Sequence, residues 1–512
     1  MYSSVCSGGL DGIESYITNV EVDVSKGLPG FDMVGRLSNE VKEAKERVRV
    51  AIKNCGIELP PVHITVNISP ADIKKTGTAY DLPIAVGIMN SLGHIADERI
   101  KDLLVIGELG LMGDVGRADG ILPIVRTARE AGIERCMVPA DNALEASSVE
   151  GIDIIPVKNL NEALYMLRSG DDISQYSITA NSNDRMTPDI EKNKDFSDVI
   201  GQDACIRAAL IAASGFHHML IMGPPGSGKS MIAERMASIM PPLTADESLE
   251  VSTIYSVLGL LDKDRPYVYD RPYLSPHHSA SLSSLTGGGA GARPGIISLS
   301  HKGILFMDEL PEFDRECIEA LREPMEKKKI QVSRARHIYT YPADFMLVAS
   351  ANPCPCGFYP NRNLCNCSDN TITRYRDRIS GPVRDRIDII VTSARIEADR
   401  IVTPGKTAGK KTGLTSSMLL ERVLKAREIQ KKRFAGTSLN YNSDITSNNV
   451  EEYCALGSEE KEYVKDAYEV MNLTARSYHK MLKVARTIAD VEECDDIGIP
   501  HLSEALCYRG SF

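Results

Sequence analysis

Eight residues, Gly223-Pro224-Pro225-Gly226-Ser227-Gly228-Lys229-Ser230, constrain this chain more than any other stretch. They have the form G-x-x-x-x-G-K-[ST], a phosphate-binding loop. The glycines let the backbone turn tightly, so that its N–H groups can point at phosphate oxygens. Lys229 can reach the β- and γ-phosphates, and the Ser230 hydroxyl can sit on Mg²⁺. The flanks fit. The apolar run Met219-Leu220-Ile221-Met222 predicts a short buried strand before the loop. Residues 231–237 predict a helix after it. The start of that helix adds partial positive charge where phosphates sit.

A chain of 512 residues is too long for one core, so two to four domains are expected. No apolar stretch is long enough to span a bilayer, and the first residues lack the basic-then-apolar pattern of a signal peptide. The expectation is a cytoplasmic protein with no membrane partner. Its twelve cysteines are then reduced thiols or metal ligands. Net charge is −11, so nucleic-acid binding has to come from local basic patches.

Three blocks follow in order. Residues 1–172 alternate strand-like and helix-like patterns, with a strand expected over 62–68 and a helix over 40–54. Residues 173–195 are polar and read as a linker. Residues 196–400 hold the phosphate loop and nearly all other motifs. Residues 403–413 read as a mobile loop, and 415–512 are helical in pattern.

A phosphate loop needs a carboxylate element beside it. Gly303-Ile304-Leu305-Phe306-Met307-Asp308-Glu309 supplies it, the apolar run reading as a buried parallel strand. Asp308 at its end would hold Mg²⁺, and Glu309 would polarise the attacking water. A third strand over 345–351 ends in Asn352, whose amide could orient that water, unless it is a turn residue before Pro353. Arg386, with Arg384 as its rival, is a candidate finger reaching a neighbour's γ-phosphate. The alternative is a surface ion pair with Asp385 or Asp388. Arg476, near a helix start, could reach over the nucleotide from a lid.

Residues 327–339 carry Lys327, Lys328, Lys329, Arg334 and Arg336, with an alternation that suits a β-hairpin. Such side chains would track phosphates without reading sequence, unless the stretch is simply a solvated basic face. Cys354, Cys356, Cys365 and Cys367 frame a polar loop. Four thiolates can close a tetrahedral zinc site; otherwise these are plain reduced cysteines.

Together these motifs resemble the AAA+ ATPases, and more narrowly their magnesium-chelatase-like branch, over residues 195–512. The resemblance implies Walker A roles for Lys229 and Ser230, Walker B roles for Asp308 and Glu309, and sensor 1 at Asn352. It implies an arginine finger at Arg386 and sensor 2 at Arg476. It also implies that 196–202 form the adenine-side entry and that the site closes between subunits of a ring, commonly a hexamer. Residues 67–70, 75–85 and 107–123 resemble the Lon-protease fold. Ala79 stands where that family has its serine and Leu122 where it has its lysine, so no peptidase activity is expected.

The expected fold class is therefore α/β: a Lon-protease-like α+β N-terminal domain, an AAA+ P-loop α/β core and a C-terminal helical lid. This order resembles the YifB/ComM family over essentially the whole chain. The resemblance implies an ATP- and Mg²⁺-dependent motor on DNA, a branch-migration helicase of recombination and natural transformation. The rivals are a magnesium-chelatase-type ATPase subunit and an ATP-dependent remodeller of protein partners.

Overall fold

The computed structural model describes residues 1–178, 194–289, 291–334, 337–394, 414–471 and 473–509. The expected loop over 403–413 lies outside them, as does most of the expected linker. The chain forms two compact units.

The first unit is built on a seven-stranded sheet. Its strands are β1 (Tyr2–Asp11), β2 (Glu14–Lys26), β3 (Gly30–Val34), β4 (Val62–Ser69), β5 (Leu103–Val105), β6 (Arg135–Pro139) and β7 (Asp153–Val157). Their order is β3-β4-β2-β1-β5-β6-β7. The β1–β2 and β2–β4 pairs are antiparallel and the rest parallel. Alternation sets the register: Val20, Val22 and Val24 of β2 turn inward against Ile64, Val66 and Ile68 of β4. Helix Asp81–Ser91 is buried along its whole length, which its apolar sequence requires. Gly87 lets it seat on the sheet, since a Cβ there would meet Val22 Cγ2 at 2.7 Å. Helix Asn39–Asn54 is capped by Ser38, whose Oγ accepts from Val41 N at 3.4 Å.

Two boundaries differ from the sequence reading. Residues Ala245–Val268 and Gly291–Arg293 belong to the first unit, not to the nucleotide-binding one. The reason is local: helix Ala245–Val257 gives Ser256 to the start of helix Ile121–Glu130 and packs Leu249 on its cluster. The expected linker also begins later than its polarity suggests. Ile173 is buried in a short 3₁₀ turn, and Ile178 N donates to Ile154 O at 2.8 Å.

The second unit has a five-stranded sheet of β8 (Met219–Met222), β9 (Tyr273–Leu274), β10 (Ile304–Met307), β13 (Met346–Ala351) and β14 (Ile389–Thr392), in the order β9-β10-β13-β8-β14 and parallel throughout. A hairpin of β11 (Lys329–Arg334) and β12 (His337–Pro342) rises between β10 and β13 in sequence. Every residue of β8 and of β13 is buried, as parallel strands covered on both faces must be. Helices Ser416–Arg433, Ala475–Val491 and Ile499–Cys507 share one apolar cluster with helix Asp203–Gly215 and the sheet. The C-terminal helices are therefore part of this unit's core. Among the described residues no helix is long and apolar enough to cross a membrane.

Candidate functional site

The loop over 223–230 leaves the C-terminal end of β8 and turns into helix Lys229–Met236. Gly226 and Gly228 take φ of 74° and 85°, the left-handed region that a side chain would strain. Gly223 has no room for a Cβ, which would meet Ser393 Oγ at 2.0 Å. Two long-range contacts brace the loop. Ser227 Oγ lies 2.6 Å from Ser393 Oγ, and Gln202 Nε2 donates to Ser227 O at 3.0 Å and to Ala394 O at 2.7 Å.

Lys229 is 8% exposed. Its ammonium donates to Gly223 O at 2.8 Å, Pro224 O at 3.0 Å and Asn352 Oδ1 at 3.1 Å. Burial pulls its pKa below the usual lysine range, opposed by the nearby Asp308 and Glu309 carboxylates. All three partners are neutral acceptors, which an anionic phosphate would outcompete.

Asp308 and Glu309 follow directly after β10. Ser230 Oγ donates to Asp308 Oδ2 at 2.9 Å, and Ser350 Oγ donates to Asp308 Oδ1 at 2.5 Å. Ser350 Oγ also accepts from Glu309 N at 2.8 Å. Glu309 sits at φ 53°, a strained position for a non-glycine residue that costs about 1–3 kcal/mol. Its side chain is exposed at the rim, free to meet a water. The structure thus gathers Lys229, Ser230, Asp308 and Asn352 by direct contact, with Glu309 tied in through Ser350. Neither Ser350 nor Ser393 has a role assignable from sequence. The one available signal was a serine inside an otherwise apolar strand.

A cavity of about 790 Å³ opens beside the loop, lined by Met222, Gly223, Pro224, Phe358, Ile390 and Tyr508 among others. Its apolar walls against backbone polar groups suit a nucleobase. The segment 196–202, expected to flank adenine, contributes no lining residue. Phe196 is buried in the core and Gln202 braces the loop, while Ala204 reaches the cavity.

Arg386 and Arg476 lie elsewhere. Both line a second cavity, of about 390 Å³, that includes no residue of the phosphate loop. Arg386 is 6% exposed, donates through Nη1 to Pro382 O at 2.6 Å and pairs through Nη2 with Glu326. Arg476 Nη2 is 3.9 Å from the other oxygen of Glu326. The Arg386 hydrogen bond, with both guanidinium charges, holds the Glu326 carboxyl below its usual range. Within its own chain Arg476, expected to reach over the nucleotide from a lid, faces Glu326 and not the phosphate loop.

Just after Glu326, the hairpin turns Ile330 and Val332 inward and Lys329, Gln331 and Ser333 to solvent. Lys327 is exposed and pairs with Glu323 at 3.0 Å. Lys328, of the same basic set, has carboxylate partners. Its ammonium is held by Asp444 at 2.5 Å and Asp344 at 3.3 Å, which raises its pKa despite burial. It ties the root of the hairpin to two carboxylates, with its side chain still partly exposed. Arg336 and the side chain of Arg334 lie outside the described residues.

The four cysteines over 354–367 converge, their sulfurs all lying within 4.8 Å of one another. In the first unit Ala79 is half-buried and Leu122 fully so. Leu122 N donates to Glu145 Oε1 at 3.1 Å, and Ser256 Oγ also donates to Glu145. Asp81 is fully buried and takes a bidentate pair from Arg47 at 2.7 and 2.9 Å.

A parallel sheet with a phosphate loop at its carboxyl edge, a polar amide at the end of the adjacent strand and a carboxylate pair on the strand beyond it define a P-loop nucleoside triphosphatase. The magnesium chelatase subunit ChlI family matches residues 195–401, its companion ChlI domain 20–142, and its C-terminal domain 413–509. The chain is 38% identical to the YifB protein of Escherichia coli strain K12, over 97% of this chain and 95% of the relative. It is 37% identical to the competence protein ComM of Haemophilus influenzae, again over 97% and 95%. The magnesium-chelatase 67 kDa subunit of Chlorobaculum parvum aligns at 27% over only 31% of this chain. The chain belongs to the YifB/ComM family of magnesium-chelatase-like AAA+ ATPases.

Proposed function

We propose that this protein is an ATP-hydrolysing ring motor that moves DNA, a branch-migration helicase of recombination and natural transformation in the cytoplasm. One observation carries the reading. The phosphate-loop apparatus is assembled within one chain, while Arg386 and Arg476 gather on a cavity away from it. Two arginines held apart from their own loop are available to a neighbour's nucleotide, which supports a closed ring of copies, a hexamer in this reading.

In that ring Lys229 exchanges its carbonyl partners for β- and γ-phosphate oxygens. Ser230 and Asp308, already facing each other, are the residues that fit Mg²⁺, which when bound neutralises phosphate charge. Glu309 takes the proton of the attacking water, and Asn352 orients that water. Arg386 from the neighbour stabilises charge on the transferring group, with Arg476 beside it. Zn²⁺ is the ion that the four convergent thiols fit, outside the reaction itself. The N-terminal unit acts as a scaffold without peptidase chemistry, because neither Ala79 nor Leu122 can attack or accept a proton.

The basic hairpin, with Lys327, Lys329, Arg334 and Arg336, is the element that grips DNA phosphates. The competence function printed in the name of the Haemophilus relative agrees with this substrate. Protein remodelling is disfavoured because Tyr341, one of two hairpin tyrosines that could serve as a pore aromatic, is fully buried. A chelatase role is favoured by the ChlI matches, but the magnesium-chelatase 67 kDa subunit of Chlorobaculum parvum aligns over under a third of the chain.

DNA-stimulated ATP hydrolysis tests the reading. Single-stranded or branched DNA should raise turnover. Arg334→Ala with Arg336→Ala should lower DNA affinity and flatten its salt dependence by a slope of about 2, leaving basal turnover in place. A protein whose turnover ignores DNA of every form is not this motor.

A further inference from the structure

We propose that Cys354, Cys356, Cys365 and Cys367 bind one Zn²⁺ whose binding is positively linked to that of nucleotide, because the loop it closes is a wall of the nucleotide cavity. The inference rests on the ATP-binding reading above.

The sulfur geometry suits the ion. Cys354 Sγ lies 3.3 Å from Cys356 Sγ and 3.7 Å from Cys365 Sγ, and all four sulfurs fall within 4.8 Å of one another. Four tetrahedral thiolates at about 2.3 Å from zinc place their sulfurs about 3.8 Å apart. The loop also needs such a tie. Residues 354–367 contain no helix or strand. Their buried nucleus is only Cys354, Cys365 and Ile372, with Tyr359 and the other two cysteines packed against it. So small a cluster buries too little apolar surface to order fourteen residues, on the order of 1–2 kcal/mol each in backbone entropy.

The same loop touches the nucleotide site at three points. Asn352, which holds Lys229, stands two residues before the first cysteine. Gly357, at φ 81°, packs so closely on the phosphate loop that a Cβ would meet Pro225 Cδ at 2.3 Å. Phe358, Tyr359 and Leu364 line the cavity beside Gly223 and Pro224. Arg376 carries the contact further: it lies over the Tyr359 ring at 5.2 Å and donates to Pro353 O at 3.3 Å.

The sign of the linkage follows. If zinc has already ordered the loop, nucleotide binding need not do so, and affinity rises. Reciprocity requires nucleotide to tighten zinc by the same factor.

The test uses the full-length protein, purified under reducing conditions without added metal. Elemental analysis should find one zinc per chain. Stripping the zinc with a chelator should weaken the affinity for a fluorescent ATP analogue about tenfold or more, and added zinc should restore it. Saturating ATP analogue should slow zinc transfer to a colorimetric chelator. Cys365→Ser should lose both properties, with circular dichroism reporting whether the remaining fold persists. Gly357→Ala should keep zinc and lose nucleotide affinity, whereas Cys494→Ser, at an exposed cysteine outside the cluster, should change neither. Protein isolated without zinc, or with iron in its place, overturns the proposal. So does equal nucleotide affinity with and without zinc, an outcome that leaves the ATPase reading intact. Zinc-loaded protein that binds no nucleotide would overturn the ATPase reading itself.

Discussion

The two units each carry a stretch shaped like a catalytic site, and they treat their charges in opposite ways. In the first unit, Asp81 is fully buried, with both carboxylate oxygens taken by Arg47 and one also accepting from Leu109 N at 3.2 Å. Glu145 likewise meets Asn142, Ser256 and the Leu122 amide. In the second unit, Lys229 rests on two carbonyls and an amide oxygen, Asp308 on two hydroxyls, and Glu309 projects to solvent. Neutral partners are easily exchanged for a phosphate, a metal or a water, whereas a buried ion pair is not. Resting contacts thus separate charges held by neutral, exchangeable partners from charges held in buried ion pairs and hydrogen bonds.

The arginine face tests the contrast from a third direction, because Arg386 and Arg476 rest on a charged partner, Glu326, that is 56% exposed and so can be released. Arg386→Ala should produce the largest effect, a fall of about 10³–10⁵ in ATP turnover with nucleotide affinity kept. Mixing that variant with Lys229→Ala should recover part of the activity, since some junctions in the mixed ring pair an intact loop with an intact arginine. If no mixture recovers activity, Arg386 is tied to its own chain's fold. Glu309→Gln should cost about 10²–10⁴ in turnover and still hold ATP, read by nucleotide retention on a filter. A variant that hydrolyses normally would move the base to another residue.

The smallest effect on catalysis and the largest on folding belongs to the first unit. Arg47→Met leaves the Asp81 carboxylate buried without its cation, which should destabilise that unit by about 3–5 kcal/mol, measured by denaturant titration. The turnover number of the folded fraction should be unchanged. A loss of turnover at full folding would show that the buried pair has a functional role.

Much of this contrast was legible in the chain. The strand at 219–222, the loop at 223–230, the strand before Asp308 and the one before Asn352 are local patterns in which apolar runs meet a turn or a polar residue. Hairpin β11–β12 was legible too, by alternation. Braces between distant residues were not. Gln202 meets Ala394 across 192 positions and Ser256 meets Glu145 across 111, and no periodicity marks such pairs. The ion pairs of Lys328 are illegible for the same reason, because nothing near it in sequence announces Asp344 and Asp444.

Sequence alone established the chemistry available: a lysine and a serine at fixed spacing in a glycine loop, an acidic pair after a buried strand, and four thiols. Those features depend on neighbours a few residues away, which backbone geometry constrains directly. Tertiary structure added which charges are committed and which are available. It tied Lys328 to carboxylates, set both arginines on Glu326 and drew residues 245–268 into the first unit. The physical reason is that a charge's partner is set by proximity in space and by the cost of burial, and folding creates both only when remote segments meet.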